Sequence, residues 1–182
     1  MTHEHHHEHC HEHGHSHDHH HGCSCGCCAP RTPLDPAAIP AEAASIELTG
    51  RELAVLLTIE GVGCLPVARL LATRSDEDEV VIDCLSPVYL YDRTDTLDEV
   101  KETGALLRGL EEKGLLSLDY DRPILNYDDS LYTQSDLFAY FQRTVQEARG
   151  REGFLCDTAE IEVGSMALTE LGSVVCRLRD PS

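Results

Sequence analysis

Metal-binding side chains crowd the first 28 residues of the chain. All twelve histidines and five of the nine cysteines lie in the run HEHHHEHCHEHGHSHDHHHGCSCGCC, residues 3 to 28. Neutral imidazole binds Zn, Ni and Cu, whereas thiolate favours Zn and Cu(I). The predicted metal ligands are His3, His5, His6, His7, His9, Cys10, His11, His13, His15, His17, His19, His20, His21, Cys23, Cys25, Cys27 and Cys28.

The spacing of these ligands favours many metal geometries over one. Every second position from His3 to His21 is His, and the alternation continues into Cys23, Cys25 and Cys27. In an extended chain such residues share one face, while residues four apart share a face of a helix. With about four ligands to a tetrahedral ion, the run could hold roughly four ions. We expect multi-ion binding suited to buffering, storage or delivery of Zn, Ni or Cu.

Alternative explanations exist for this run. A His-x repeat can expand by replication slippage without a function, and an added purification tag is usually an uninterrupted His run. Here Glu4, Glu8 and Glu12 recur every four residues and the series passes into cysteine, which argues against a tag. The segment CSCGCC is similar in spacing to metallothioneins, which implies thiolate clusters, although an oxidisable tail without metal is the alternative.

The rest of the chain lacks the residues of the common catalytic sites. Because residues 29 to 182 contain no histidine, they cannot form a Ser-His-Asp triad or a Cys-His pair on their own. The remaining cysteines, Cys64, Cys84, Cys156 and Cys176, show no Cys-x-x-Cys spacing and are predicted to be buried core thiols. The acidic runs SDEDE, DYD and YDDS lack the spacing of a calcium loop and are predicted to be solvated surface. We therefore expect a protein that is not an enzyme.

Charge disfavours a nucleic-acid binder. The net charge is -19, of which Glu4, Glu8, Glu12 and Asp18 supply -4, so the remaining chain carries -15 (14 basic against 29 acidic residues). Such a surface repels phosphate backbones and attracts cations. A metal ion or proton bound to the tail would make it more positive, so we expect the tail to dock on the acidic body.

No secretory signal or uninterrupted membrane span is evident. The longest apolar stretch, residues 53 to 72, is broken by Glu60, Pro66 and Arg69, and charges within a span are costly. The cysteines are then expected to stay reduced. We expect a cytoplasmic protein that does not bind membranes.

Composition predicts three segments. Residues 1–28 are almost without apolar side chains and should be disordered until metal binds, residues 29–45 should form an extended Pro/Ala-rich linker, and residues 46–182 should form one globular domain. Hydrophobic periodicity within that domain predicts helices over residues 50–59, 65–74, 97–113 and 136–149, capped at Thr49, Asp95 or Thr96, and Ser135. Strands are predicted over residues 80–91, 115–124 and 159–163, whereas residues 164–178 fit either a strand or a helix.

The predicted domain resembles a winged helix. The resemblance rests on TGALLRGLEEKGLLSLDYD, a leucine-rich helix that ends at Gly114 and leads into a strand, and on ALTELG, similar to a stretch that often follows the wing. It implies an α+β fold with a small β-sheet or hairpin, here with a helical insertion over residues 130–155. The helix that would read DNA carries more carboxylates than cations, which makes it a poor DNA reader.

Three functions follow from these observations. The first is a non-enzymatic metal-handling protein whose partners are metal ions and a metal-recipient protein. The second is a metal-responsive winged-helix transcription regulator, which requires DNA binding despite the negative charge. The third is a winged-helix module that binds a partner protein, with an incidental tail.

Overall fold

The computed structural model describes residues 37–179, which form an α+β fold, as predicted. A four-stranded antiparallel sheet in the order β2-β1-β4-β3 is flanked by helices. The elements of the described residues are α1 (Ile39–Ser45), α2 (Gly50–Val62), β1 (Cys64–Arg74), β2 (Glu77–Val88), α3 (Leu97–Glu112), β3 (Leu116–Asp119), α4 (Ser130–Thr133), α5 (Asp136–Ala148), β4 (Thr158–Leu168) and α6 (Glu170–Arg179). The predicted disordered tail and residues 29–36 of the predicted linker lie outside the described residues.

The strand β1 is central in this sheet and replaces a predicted helix. It pairs with β4 in a regular register from Cys64 opposite Ala167 to Thr73 opposite Thr158, and with β2 on its other side. Because helices cover parts of both of its faces, apolar residues occur at adjacent positions and not only at alternate ones. That nearly continuous apolar run, rich in Leu and Ala, imitates helical periodicity, and the prediction of a helix over residues 65–74 was therefore wrong.

Helix α1 lies within the segment that was predicted to be an extended linker. Ile39 and Ala43 are buried and belong to the same core cluster as residues of α6. Pro40 stands in the first turn of α1, where a missing N–H group costs no hydrogen bond. A proline in this position is compatible with a helix, so the linker prediction was wrong for residues 39–45.

The other predicted elements agree in kind with the structure. Thr49 and Thr96 each form a capping box with the glutamate three residues later, and the Ser135 hydroxyl accepts a hydrogen bond from the Phe138 amide. Helix α3 continues through Gly104 without a break. A side chain there would meet the Pro87 carbonyl oxygen at 2.7 Å, so this glycine permits close approach of α3 to the end of β2.

The short motif LTELG, residues 168–172, connects α6 by hydrogen bonds to the turn between α3 and β3. The Thr169 amide donates to the Leu115 carbonyl (3.1 Å), and the Thr169 hydroxyl donates to the Gly114 carbonyl (2.6 Å) while it accepts from the Gly172 amide (3.0 Å). A Cβ atom on Gly172 would lie 1.9 Å from the Leu115 carbonyl oxygen. The glycine is therefore required by a backbone contact between two segments.

Two main groups of buried side chains stabilise the domain. One joins α1, α2, α3 and α6 to the sheet and includes Leu56, Leu107 and Met166. The other joins α4 and α5 to β1 and β2 around Tyr132, whose hydroxyl donates to the Pro66 carbonyl (3.2 Å). The helices are thus held to the sheet by separate clusters of apolar contacts.

Within residues 37–179, no helix has both the length and the apolar character needed to cross a membrane. The apolar stretch over residues 53–72 is divided between α2 and β1, with Gly63 at a positive φ of 86° between them.

Candidate functional site

The seventeen predicted metal ligands, His3 to Cys28, all lie outside the described residues. Among residues 37–76 and 80–179, whose side chains the structure describes, no three His, Cys, Asp or Glu side chains come together as a metal site would require. The acidic residues of the turns instead bind the backbone locally. The Asp128 carboxylate, for example, accepts a hydrogen bond from the Ser130 amide (2.9 Å), and this bond lowers the carboxyl pKa.

The four cysteines of the domain are thiols that folding does not gather into one site. Cys156 and Cys176 are buried as predicted, whereas Cys64 and Cys84 are exposed, so the core prediction was wrong for those two. The Cys156 thiol donates to the Ala72 carbonyl at 3.3 Å. Burial raises the pKa of the Cys84 thiol despite its exposed edge, which keeps it protonated and a weak nucleophile.

A cleft lies between α2, α3 and the segment that follows β2. We call it the α2–α3 cleft. It has an apolar compartment of about 200 Å³ and an adjoining polar compartment of about 190 Å³. Arg51, Tyr89, Tyr91 and Thr103 line both compartments. The two compartments are therefore parts of one continuous cleft.

The apolar compartment is built on side chains of the main core. Leu107 of α3 and Met166 of β4 are almost wholly buried at this position, while Val55, Leu65 and Leu106 are half-buried. Leu106 and Leu107 follow Thr103 by three and four residues, which places all three on one face of α3. The compartment is thus an opening in the surface of the main core.

The polar compartment carries an excess of negative charge. Asp95, Glu99 and Glu102 line it, and Arg51 is the one cation among its lining residues. Arg51 and Glu102 are largely exposed and 3.8 Å apart, a separation at which an ion pair is weak. Hydrogen bonds from the side chain and amide of Thr96 lower the pKa of Glu99, which holds this carboxylate ionised.

Two tyrosines form the wall where the compartments meet. The rings of Tyr89 and Tyr91 stand edge to face, with centroids 4.9 Å apart and an interplanar angle of 85°. Tyr91 is 67% exposed, an unusual state for a large aromatic side chain. Burial raises the pKa of Tyr89, so its hydroxyl remains a protonated hydrogen-bond donor.

Thr103 is the most unusual polar residue of the cleft. Its side chain lines both compartments and only 8% of the residue is exposed, yet its hydroxyl has no hydrogen-bond partner among the described residues. Every side-chain oxygen or nitrogen that is itself buried among the described residues has a hydrogen-bond partner, so the Thr103 oxygen is open to the cleft. A ligand group or an ordered water in the cleft would satisfy this hydroxyl.

Sequence reasoning missed this cleft. Tyr89 and Tyr91 belong to a run predicted to be a strand, and the carboxylates of α3 were interpreted as solvent-facing charges that repel DNA. The cleft forms because Gly104 lets α3 lie against Pro87, next to the two tyrosines. Because this contact joins distant segments, the local sequence does not predict it. The only local signal of the cleft is Thr103, which lies on an otherwise apolar face of α3.

Comparison with known proteins assigns neither a family nor an activity. No protein-family model and no curated protein sequence matches the chain. A solved structure of an uncharacterized protein from the hydrocarbon-degrading marine bacterium Alcanivorax borkumensis SK2 is similar at a TM-score of 0.41 and 14% sequence identity, over 78% of this chain and 92% of that chain. Function must therefore be argued from the residues of this chain alone.

Proposed function

We propose that this protein binds transition-metal ions through residues 3–28 and serves to buffer, store or deliver Zn, Ni or Cu without enzymatic activity. One observation carries the proposal: twelve imidazoles and five thiols occur within 26 consecutive residues. A closed structural site needs four ligands at fixed positions, whereas this run offers several times that number. Such an excess suits ions that must be exchanged.

The described domain supports a division of roles. The proposal places the metal ligands in the tail because all twelve histidines lie there. In residues 37–76 and 80–179, no group of three His, Cys, Asp or Glu side chains lies together. A cytoplasmic location suits the proposal because thiols stay reduced there. The negative charge of the domain favours cations over nucleic acid and makes a protein or small molecule a better partner than DNA.

The winged-helix interpretation of the domain stays a prediction. In its favour, α3 ends before Gly114 and leads into β3, and ALTELG connects β4 to α6. The hairpin β1–β2 between α2 and α3 departs from the predicted succession of helices. A metal-responsive regulator would require α3 to contact DNA, and a gel-shift series at low salt with and without metal tests that alternative.

Elemental analysis of the reduced, untagged protein tests the proposed function. We expect the full chain to retain up to about four Zn, Ni or Cu ions after equilibration and desalting. A shorter chain that starts at Ala29 keeps every described element and should retain none. Equal metal content in the two chains, or none in the full chain, would refute the proposal.

A further inference from the structure

We propose that the α2–α3 cleft binds a small organic cation, an arylalkyl amine whose ring occupies the apolar compartment and whose ammonium group lies in the polar compartment. The inference does not depend on the function proposed for the tail. Three observations carry the inference: the size of the apolar compartment, the unpartnered Thr103 hydroxyl and the excess of carboxylates.

The size of the apolar compartment matches a single ring. Apolar cavities of about 150 Å³ bind benzene, and this compartment measures about 200 Å³. Leu107 and Met166 line it with buried side chains, and a thioether makes favourable contacts with an aromatic ring. One six-membered ring with a short alkyl chain fits, and the chain would lead toward the polar compartment.

The Thr103 hydroxyl supplies a hydrogen-bonding group where the two compartments meet. No hydrogen bond of the described residues engages this hydroxyl, and its oxygen is open to the cleft, so a ligand can pair with a group already in place. As an acceptor, this oxygen can receive a hydrogen bond from an ammonium group. The protonated hydroxyl of Tyr89 lies in the same wall and offers a second polar contact.

Charge selects the cation among ligands of this shape. Asp95, Glu99 and Glu102 outnumber Arg51 in the polar compartment, which repels a carboxylate or phosphate. The tyrosine rings attract a cation placed over their faces. A neutral ligand would gain the ring contacts and one hydrogen bond but neither of these charge interactions.

Methyl NMR with a matched series of probes tests the proposal. The chain has two methionines, Met1 and Met166, so ¹³C-methyl methionine labelling gives one signal inside the cleft and one control signal outside the described domain. The probes are 2-phenylethylamine, 2-phenylethanol and 3-phenylpropionate, which share a ring and a two-carbon chain but differ in charge. A chelator and a reductant are present, so the metal-binding tail is empty.

We expect the amine to shift the Met166 signal saturably, the alcohol to bind more weakly, and the carboxylate to bind weakest or not at all. Glu102→Gln should lower the affinity for the amine by up to about fivefold, a modest effect because this carboxylate is largely exposed. The affinity for the alcohol should stay unchanged. Thr103→Val should lower the affinity for the amine by about twofold to tenfold, which is the effect of losing one hydrogen bond. Thr103→Ser restores the hydroxyl and should restore binding.

Glu147→Gln is the matched control, because it removes the same charge from α5, outside the cleft lining. Its affinity for the amine should equal that of the wild-type protein. Three results would each overturn the proposal: a Met166 signal unmoved by every probe, a carboxylate that binds as tightly as the amine, or unchanged affinity in both Thr103→Val and Glu102→Gln.

Discussion

Two glycine substitutions, Gly172→Ala in α6 and Gly109→Ala in α3, should change stability in opposite directions. Alanine is the better helix former by about 1 kcal/mol, so helix propensity alone predicts that both variants are stabilised. The surroundings of the two residues differ. A Cβ atom at Gly109 has no neighbour within 4 Å, whereas one at Gly172 would lie 1.9 Å from the Leu115 carbonyl oxygen.

The loss in free energy of unfolding expected for Gly172→Ala follows from the movement that this clash requires. To reach an ordinary contact distance, the first turn of α6 must retreat from Leu115 by about 1 Å or more, which strains the bonds of Thr169 to Leu115 (3.1 Å) and Gly114 (2.6 Å). Overpacking costs about 1–3 kcal/mol and each weakened hydrogen bond about 1 kcal/mol. After a partial offset from propensity, we expect a net loss of about 2–4 kcal/mol.

Urea unfolding followed by circular dichroism at 222 nm measures the free energy of unfolding of each variant. Reductant and chelator are present to keep the tail thiols and the metal content constant. Gly109→Ala should gain about 0.5–1 kcal/mol. Thermal midpoints should move in step, by about 2–4 °C per kcal/mol for a chain of this size. If Gly172→Ala proves as stable as the wild-type protein, the packing of α6 against Leu115 is not as described and the reasoning fails.

Three further substitutions test individual hydrogen bonds through the same unfolding measurement. Asp157 accepts bonds from the Ser75 amide (3.0 Å) and hydroxyl (2.8 Å), which lower its pKa below the ordinary 3.8. Their stabilisation is therefore present above that value and is lost as pH falls through the lowered pKa, so Asp157→Asn should be less stable than wild type at about pH 7, and this deficit should shrink as the pH falls below 3.8. A deficit that persists in acid would contradict this. Thr96→Ala should lose about 1 kcal/mol with its capping box, whereas Thr103→Val should lose nothing, because its hydroxyl has no partner to forfeit. A clear loss in Thr103→Val, or none in Thr96→Ala, would contradict these assignments.

Local signals explain which elements were predictable. Thr49, Thr96 and Ser135 are good cap residues directly before amphipathic runs, and such signals act within one helical turn. The strand after Gly114 was predictable because that glycine, at a φ of 75°, ends a helix and turns the chain. Where capping and periodicity agree, the sequence determines the element without help from distant contacts.

The elements that were mispredicted depend on distant contacts. The segment β1 is a strand because β2 and β4 lie on either side of it, and its leucines and alanines would equally suit a helix. Similarly, burial of Ile39 and Ala43 stabilises α1, whereas the prolines in and before its first turn do not. The cleft also depends on distant contacts, because Tyr89 and Thr103 come together only when α3 packs against β2.

The position of α1 also decides where the protein can be divided. Because Ile39 and Ala43 are part of the core, a fragment that begins at residue 46 would lose buried side chains and leave a void beside α6. A fragment that begins at Ala29 keeps them. The core thus sets a limit for any truncation or exchange of the His/Cys run: the junction must stay N-terminal to Ile39.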